Sequence, residues 1–243
     1  MPMSDSPDRE SDDALAHRWG DIATKDDLAA FRKAGFGHRS GFGARPAVLV
    51  IDITRGWVEP RFPKGGAHAF RVLNAIASLL KAARHADVPV LFFRGNVRTG
   101  IDAGGRLHKS RAMLDPQMLD ETAREWPHEI APRPHELVIE KAKSSPFFET
   151  PLRSILTFLG VDTVILSGLS TSGCIQAAAL DAASCNLRVV VPEECVGDRA
   201  PTFHRYALFN IHMRYGDVLP TAEVEVWLAR LARNKVSPDL AGE

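Results

Sequence analysis

The sequence predicts a doubly wound α/β fold: a mostly parallel six-stranded sheet with helices on both faces. Three observations predict it. From Arg45 onward, short β-branched runs alternate with longer stretches of helical period, the pattern of a parallel sheet whose crossovers are helices. The 243 residues make one full-sized domain or two cramped ones. The 45% hydrophobic content is what a packed core requires.

The elements follow in chain order. Residues 1–40 are rich in charge and poor in aliphatic runs, with a weak helical period over Leu28 to Lys33, and are expected as an arm, partly disordered or held at an interface. Strands are expected at Ala47 to Asp52, Pro89 to Arg94, Leu137 to Glu140, Thr163 to Ser167, Arg188 to Val191 and, more weakly, Gly216 to Leu219. The helices between them are expected near Ala69 to Ala86, Thr150 to Leu159, Gly173 to Ser184, Pro201 to His212 and Thr221 to Arg233. Only Gly95 to Arg133 breaks the rhythm. It is long, polar and proline-marked, and reads as an ordered excursion with a short helix around Pro116 to Glu125. The domain is therefore expected over residues 41–235, with 236–243 a tail.

Charge and cysteine content narrow the partners. Thirty Lys and Arg balance thirty Asp and Glu, so the chain has no electrostatic footprint for nucleic acid or anionic lipid. No apolar run approaches the ~20 residues of a membrane span, and Met1 to Glu10 does not read as a leader; a cytoplasmic protein is expected. The three cysteines, Cys174, Cys185 and Cys195, are odd in number and widely spaced, which favours neither a disulfide framework nor a zinc site.

In an open parallel sheet, ligands collect at the carboxyl ends of the strands. Asp52 ends AVLVID, Lys141 ends LVIEK, and Cys174 follows TVILSG after the turn LSTSG. Each alone has a plainer role: Asp as a turn or helix cap, Lys as a solvated cation, Cys as a small core residue. Together they place an acid, an amine and a thiol on one sheet edge. A thiol at a helix start beside an ammonium is expected to ionise near neutral pH, with Asp52 as proton shuttle and Lys141 holding Asp52 ionised. The small and hydroxylic turn Gly168 to Gly173 suits an oxyanion hole built from the amides of Cys174 and Ser170.

RPAVLVIDITRGWVEP, VIEKAKSSPFFETPL and LSGLSTSGCIQAAALDAA together resemble the isochorismatase-like cysteine hydrolases over nearly all of Gly41 to Arg233. GFGARPA, TSGC, VPEECVGDR and YGDV place the resemblance nearest to the N-carbamoylsarcosine amidase-like and maleamate amidase-like branch. The resemblance implies a triad of Asp52, Lys141 and Cys174, hydrolysis of a small carboxylate-bearing amide or N-carbamoyl compound through a thioester with release of ammonia, and a cis peptide between Leu169 and Ser170. It also implies Arg199 as the residue that binds the substrate carboxylate, and a homo-oligomer, commonly a tetramer. Trp57, Phe147 and Thr171 are expected to line the substrate pocket, with Trp126 a further aromatic candidate. Thr54, Trp57 and Gln176 depart from the residues usual at their positions, which reshapes that pocket. The Asp-x-His unit of the metal-dependent nicotinamidase branch is missing among His68, His85 and His108, so neither a metal nor a cofactor is expected. Cys174 argues against isochorismatases proper, which work without it. Two rivals stand beside this reading: a hydrolase of a neutral ureide such as biuret, and a non-catalytic binding module on the same fold.

Overall fold

The computed structural model describes residues 10–96 and 116–236. Seven strands form its sheet: β1 (Pro46–Ile51), β2 (Val90–Gly95), β3 (Leu137–Lys141), β4 (Thr163–Leu169), β5 (Arg188–Pro192), β6 (Val196–Gly197) and β7 (Asp217–Leu219). All are parallel, in the order β3-β2-β1-β4-β5-β7. The two-residue β6 lies off this path, pairing with Gly168 and Leu169 at the end of β4, beyond the β5 pairing at Thr163 to Ile165. It is the one strand beyond the six expected, and two residues are too short to register as a periodic run.

The central strands are apolar on both faces because both faces are covered. In β1, Ala47, Leu49 and Ile51 join one cluster while Val48 and Val50 join the other. β2 divides in the same way, with Leu91 and Phe93 against Val90 and Phe92. The second face is packed by α4 (Ala67–His85) through Ala69, Val72, Ile76 and Leu80, and by α10 (Thr221–Val236) through Val224, Trp227 and Leu228. The first face is packed by α7 (Leu152–Phe158), α8 (Gln176–Ser184) and α9 (Pro201–Arg214).

Two further helices lie on that first face: α1 (Asp12–Trp19) and α2 (Lys25–Lys33). The segment expected as an arm is thus helical over both stretches. Leu15 and Trp19, four apart on α1, are fully buried, and Leu28 of α2 is nearly so. Trp19 and Phe31 both meet Phe209 of α9 edge-on, at 5.7 and 5.5 Å between ring centroids. Thr24 and Asp27 form a reciprocal capping box that starts α2. A few well-spaced apolar residues suffice here because a preformed apolar face receives them, whereas their density in the sequence was diluted by charge.

The excursion carries two short helices, α5 (Pro116–Leu119) and α6 (Glu121–Arg124), in place of one; α3 (Arg55–Val58) follows β1. Residues 97–115 of the excursion, and 237–243 of the expected tail, lie outside the described residues. The chain builds outward from β1 to β3 on one side and from β4 to β7 on the other, so the crevice falls at the carboxyl ends of β1 and β4.

Candidate active site

Asp52 is the first residue past β1. Its φ of 52° is in the left-handed region, which the short polar side chain of Asp tolerates better than most. Beside it, Gly168 in β4 pairs with Ile51 and has φ of 111°; a Cβ there would collide with the Ile51 backbone, so only glycine lets the two strand ends lie this close. Lys141 closes β3, separated from β1 by β2. At about 4.8 Å between neighbouring strands the gap is about 10 Å, closed by a long lysine reaching from one side and an aspartate from the other.

The three expected residues meet. Lys141 Nζ donates to Asp52 Oδ2 at 2.6 Å and approaches Cys174 Sγ at 3.5 Å, while its third proton goes to the Lys143 carbonyl at 3.1 Å. The ammonium therefore has a partner for each N–H, which is what allows a lysine to be buried at this sheet edge with only 4% of its side chain exposed. Burial opposes its charge, but Asp52 and the sulfur of Cys174 outweigh that and hold its pKa above the ordinary lysine value.

The thiol corrects the expectation of ready ionisation. Cys174 keeps a partly accessible surface, yet protein atoms crowd its sulfur. That burial, joined by the charge of Asp52, pushes the thiol up to about 12 against the opposing pull of Lys141. The helix dipole and one ammonium do not overcome desolvation beside a carboxylate. The resting pair is thus a neutral thiol next to an ionisable acceptor, the arrangement that requires a general base.

Cys174 also does not sit on the first turn of an α-helix. Thr171–Ile175 form a π-helical turn before α8, and the Leu169–Ser170 peptide bond that leads into it is cis. The amides of Gly173 and Ile175 close on the Ser170 carbonyl at 3.0 and 3.2 Å. The Ser172 amide and hydroxyl both go to Asp198 Oδ2, at 2.8 and 2.7 Å. Ser170 and Cys174, whose amides are expected to face an oxyanion, lie just before and within this turn.

The expected pocket residues divide. Trp57 lies beside the crevice, and Arg199, following β6, places its guanidinium carbon 5.1 Å from the Trp57 ring centroid and donates from Nη2 to the Lys64 carbonyl at 2.8 Å. Phe147 packs half-buried on the same apolar cluster as Cys174. Trp126 instead meets Phe92 edge-on at 5.6 Å, within the opposite cluster. Thr171 is a correction. Its side chain is fully buried, and its hydroxyl pairs with His204 Nδ1 at 2.8 Å, so it braces the turn from behind and does not present itself to a ligand.

Nothing in the linear pattern of residues marks Lys64 or His204. Lys64, in PRFPKGG between α3 and α4, is 7% exposed, with Nζ 4.3 Å from the Trp57 ring centroid. Burial pulls its ammonium down to about 8, with Asp52 opposing and Arg199 assisting that fall. A lone lysine in a proline- and glycine-marked loop reads as solvated, and nothing short of the folded chain places it here. Among the described residues no group of three or more His, Cys, Asp or Glu is positioned to hold a metal ion, and no helix is long and apolar enough to cross a membrane.

Residues 46–223 match the Isochorismatase domain family model. The chain is 37% identical over 201 residues to maleamate amidohydrolase of Pseudomonas putida, covering 81% of this chain and 93% of that protein. It is 32% identical over 206 residues to N-carbamoylsarcosine amidase of Arthrobacter sp, covering 83% and 78%. Its fold matches the crystal structure of a cysteine hydrolase from Pseudomonas syringae pv. phaseolicola 1448A with a TM-score of 0.70 at 24% identity, over 81% of this chain and 98% of the other.

Proposed function

The chain belongs to the isochorismatase domain family, and from that premise we propose that it is a cysteine amidohydrolase acting on a small carboxylate-bearing amide or N-carbamoyl compound. The observation that carries the reading is the single ammonium of Lys141 touching both Asp52 and Cys174. The activities named for two relatives, on maleamate and on N-carbamoylsarcosine, supply the substrate class.

Asp52 removes the thiol proton as Cys174 Sγ attacks the amide carbonyl, so a thiolate need not be present at rest. The carbonyl oxygen takes up the negative charge and is received by the amides of Ser170 and Cys174. Collapse of the tetrahedral intermediate breaks the C–N bond. Ammonia leaves with the proton that Asp52 returns, and a thioester remains on Cys174. Asp52 then takes a proton from water as the water attacks the thioester, and the thiol is restored when the acid departs. Lys141 stays hydrogen-bonded to Asp52 through each half-reaction and steadies the negative charge near sulfur. Arg199 binds the substrate carboxylate through its planar guanidinium.

The N-carbamoyl branch of this reading is favoured by the second relative, in which the scissile bond would belong to a ureido group. Exposed Phe158, Phe203 and Tyr206 on the helical surface are consistent with burial between copies of the chain in a homo-oligomer.

The test is ammonia release across a panel of short acid amides, N-carbamoyl amino acids and neutral ureides. Cys174→Ala is expected to abolish turnover with the fold intact, since only one sulfur is lost. Arg199→Ala is expected to raise KM for anionic substrates by about 10- to 100-fold while affecting neutral amides far less. Substantial turnover by the alanine variant of Cys174 would end the thioester mechanism, and equal effects of the Arg199 change on both charge classes would remove the carboxylate assignment.

A further inference from the structure

We propose that Asp198 is a positioning residue for Cys174: its carboxylate fixes the turn that carries the nucleophile and joins that turn to Arg199. This inference rests on the amidohydrolase reading above and deepens it.

Backbone pairing brings the two segments together. The two residues of β6 run parallel to the end of β4, with Val196 opposite Gly168 and Gly197 opposite Leu169, so Asp198 and Ser170 leave the sheet side by side. The approach is close: a Cβ on Gly197 would come within 2.9 Å of the His68 carbonyl oxygen and 3.2 Å of Leu169 Cδ2. From that position Asp198 uses both of its oxygens. Oδ2 accepts from the amide and the hydroxyl of Ser172, at 2.8 and 2.7 Å, and Oδ1 accepts from the Arg199 amide at 2.8 Å. Further along the same segment, His204 holds the Thr171 hydroxyl at 2.8 Å. Thr171 and Ser172, consecutive in the π-helical turn that contains Cys174, are thus anchored by a segment with Arg199 between its two anchors.

Exposure points to placement as the purpose of these bonds. Ser172 is exposed, so water can satisfy its amide and hydroxyl, but water cannot fix where they lie. A carboxylate next to the arginine that binds a substrate carboxylate also opposes that anion by charge, so its benefit there is geometric. Freed from Asp198, the turn lets Cys174 Sγ drift from Asp52 and from Lys141, now 3.5 Å away, and moves the Ser170 and Cys174 amides with it. A misplacement of about 1 Å at reacting atoms costs about 10^2-fold in rate. Loss of Asp198 strands no buried donor and leaves the Thr171–His204 bond untouched, so variants at this position are expected to fold.

The experiment compares the wild type with Asp198→Asn, Asp198→Ala and Ser172→Ala. Asn keeps one acceptor oxygen, which the two Ser172 donors take, and turns an N–H group toward the Arg199 amide, so it separates the two links. For a C4 acid amide, kcat is expected to fall about 10- to 100-fold in Asp198→Ala, about 3- to 10-fold in Ser172→Ala and by less than about 3-fold in Asp198→Asn. KM for that anionic substrate should rise in both Asp198 variants, where the Arg199 backbone loses its tether, while KM for the neutral diamide of the same skeleton stays put. Adding Ser172→Ala to Asp198→Ala should change kcat no further, because the bond is already gone. An Ala variant with wild-type kcat would overturn the proposal, as would Asn and Ala variants equal in kcat, or additive effects of the Ser172 and Asp198 changes. Iodoacetamide alkylation of Cys174, followed by peptide mass spectrometry without any substrate, separates this inference from the reading it rests on. Its pH midpoint should fall in Asp198→Ala, as the sulfur leaves Asp52, and hold in Asp198→Asn, which has lost the same charge. Should the wild type release ammonia from no amide, the reaction assignment fails; a midpoint lowered in the Ala variant alone would still support Asp198, and any other pattern would refute it.

Discussion

Replacing Asp52 with Asn is the perturbation that most sharply tests the general-base argument. Burial and the charge of Asp52 push the thiol up to about 12, so little thiolate stands ready near neutral pH. A mechanism drawing on preformed thiolate would have to work from that minute fraction, so nearly all turnover must pass through proton transfer to Asp52. Removing the base while keeping its shape is expected to lower kcat/KM by about 10^2- to 10^4-fold. The same change should make the sulfur easier to ionise. The carboxylate raises the thiol both through its charge and through their hydrogen bond, whereas Lys141 at 3.5 Å lowers it and survives the substitution. At an effective dielectric constant of 20, the attraction between that ammonium and a thiolate is about 5 kcal/mol, or roughly 3.5 pKa units. The Asn variant should therefore be a poorer enzyme with a more readily ionised nucleophile. The assay pairs ammonia release with the pH dependence of iodoacetamide alkylation, in which the wild-type midpoint lies well above 9 and that of the variant falls. A wild-type alkylation midpoint near pH 7 would refute the reasoning, since the thiolate would then be present without a base.

Two further outcomes concern the scaffold. Trp19→Ala removes a fully buried ring between the N-terminal helices and Phe209, and should cost about 3 to 5 kcal/mol, seen as a melting temperature lower by about 10 °C or more. Glu136, whose side chain is 4% exposed, accepts from Arg84 Nε and Nη2 at 2.8 and 2.7 Å and from the Arg133 amide at 2.7 Å, tying α4 to the start of β3. Burial alone would raise its pKa, but the Arg84 bonds prevail and leave it below the ordinary 4.5. Its contribution is thus present above that value and lost as pH falls through the lower folded pKa. Glu136→Gln should cost about 1 to 3 kcal/mol at pH 7, and the difference in melting temperature from wild type should shrink in acid.

The layout of the sheet was readable in the chain because its signals are local. Five-residue to seven-residue apolar runs can bury themselves only as central strands, and each of the six expected runs overlaps an observed strand. Asp52, Lys141 and Cys174 were readable as strand-end residues for the same reason. The N-terminal helices were not, because their stability comes from the face they cover and not from their own composition. Nor was the π turn at Thr171–Ile175, which turns Thr171 toward His204.

Periodicity and strand-end chemistry, then, are properties of neighbouring residues, and the sequence by itself determined them: a parallel sheet, the edge where ligands gather, and the three groups standing on that edge. Tertiary structure alone decided how those groups behave. Asp52 and Lys141 are 89 positions apart and Lys141 and Cys174 are 33 apart, so their contact exists only once the strands are in order. Desolvation likewise depends on every atom packed around a group, which is why the thiol is protonated where a helix start suggested otherwise, and why Lys64, unremarked in its loop, stands beside the crevice.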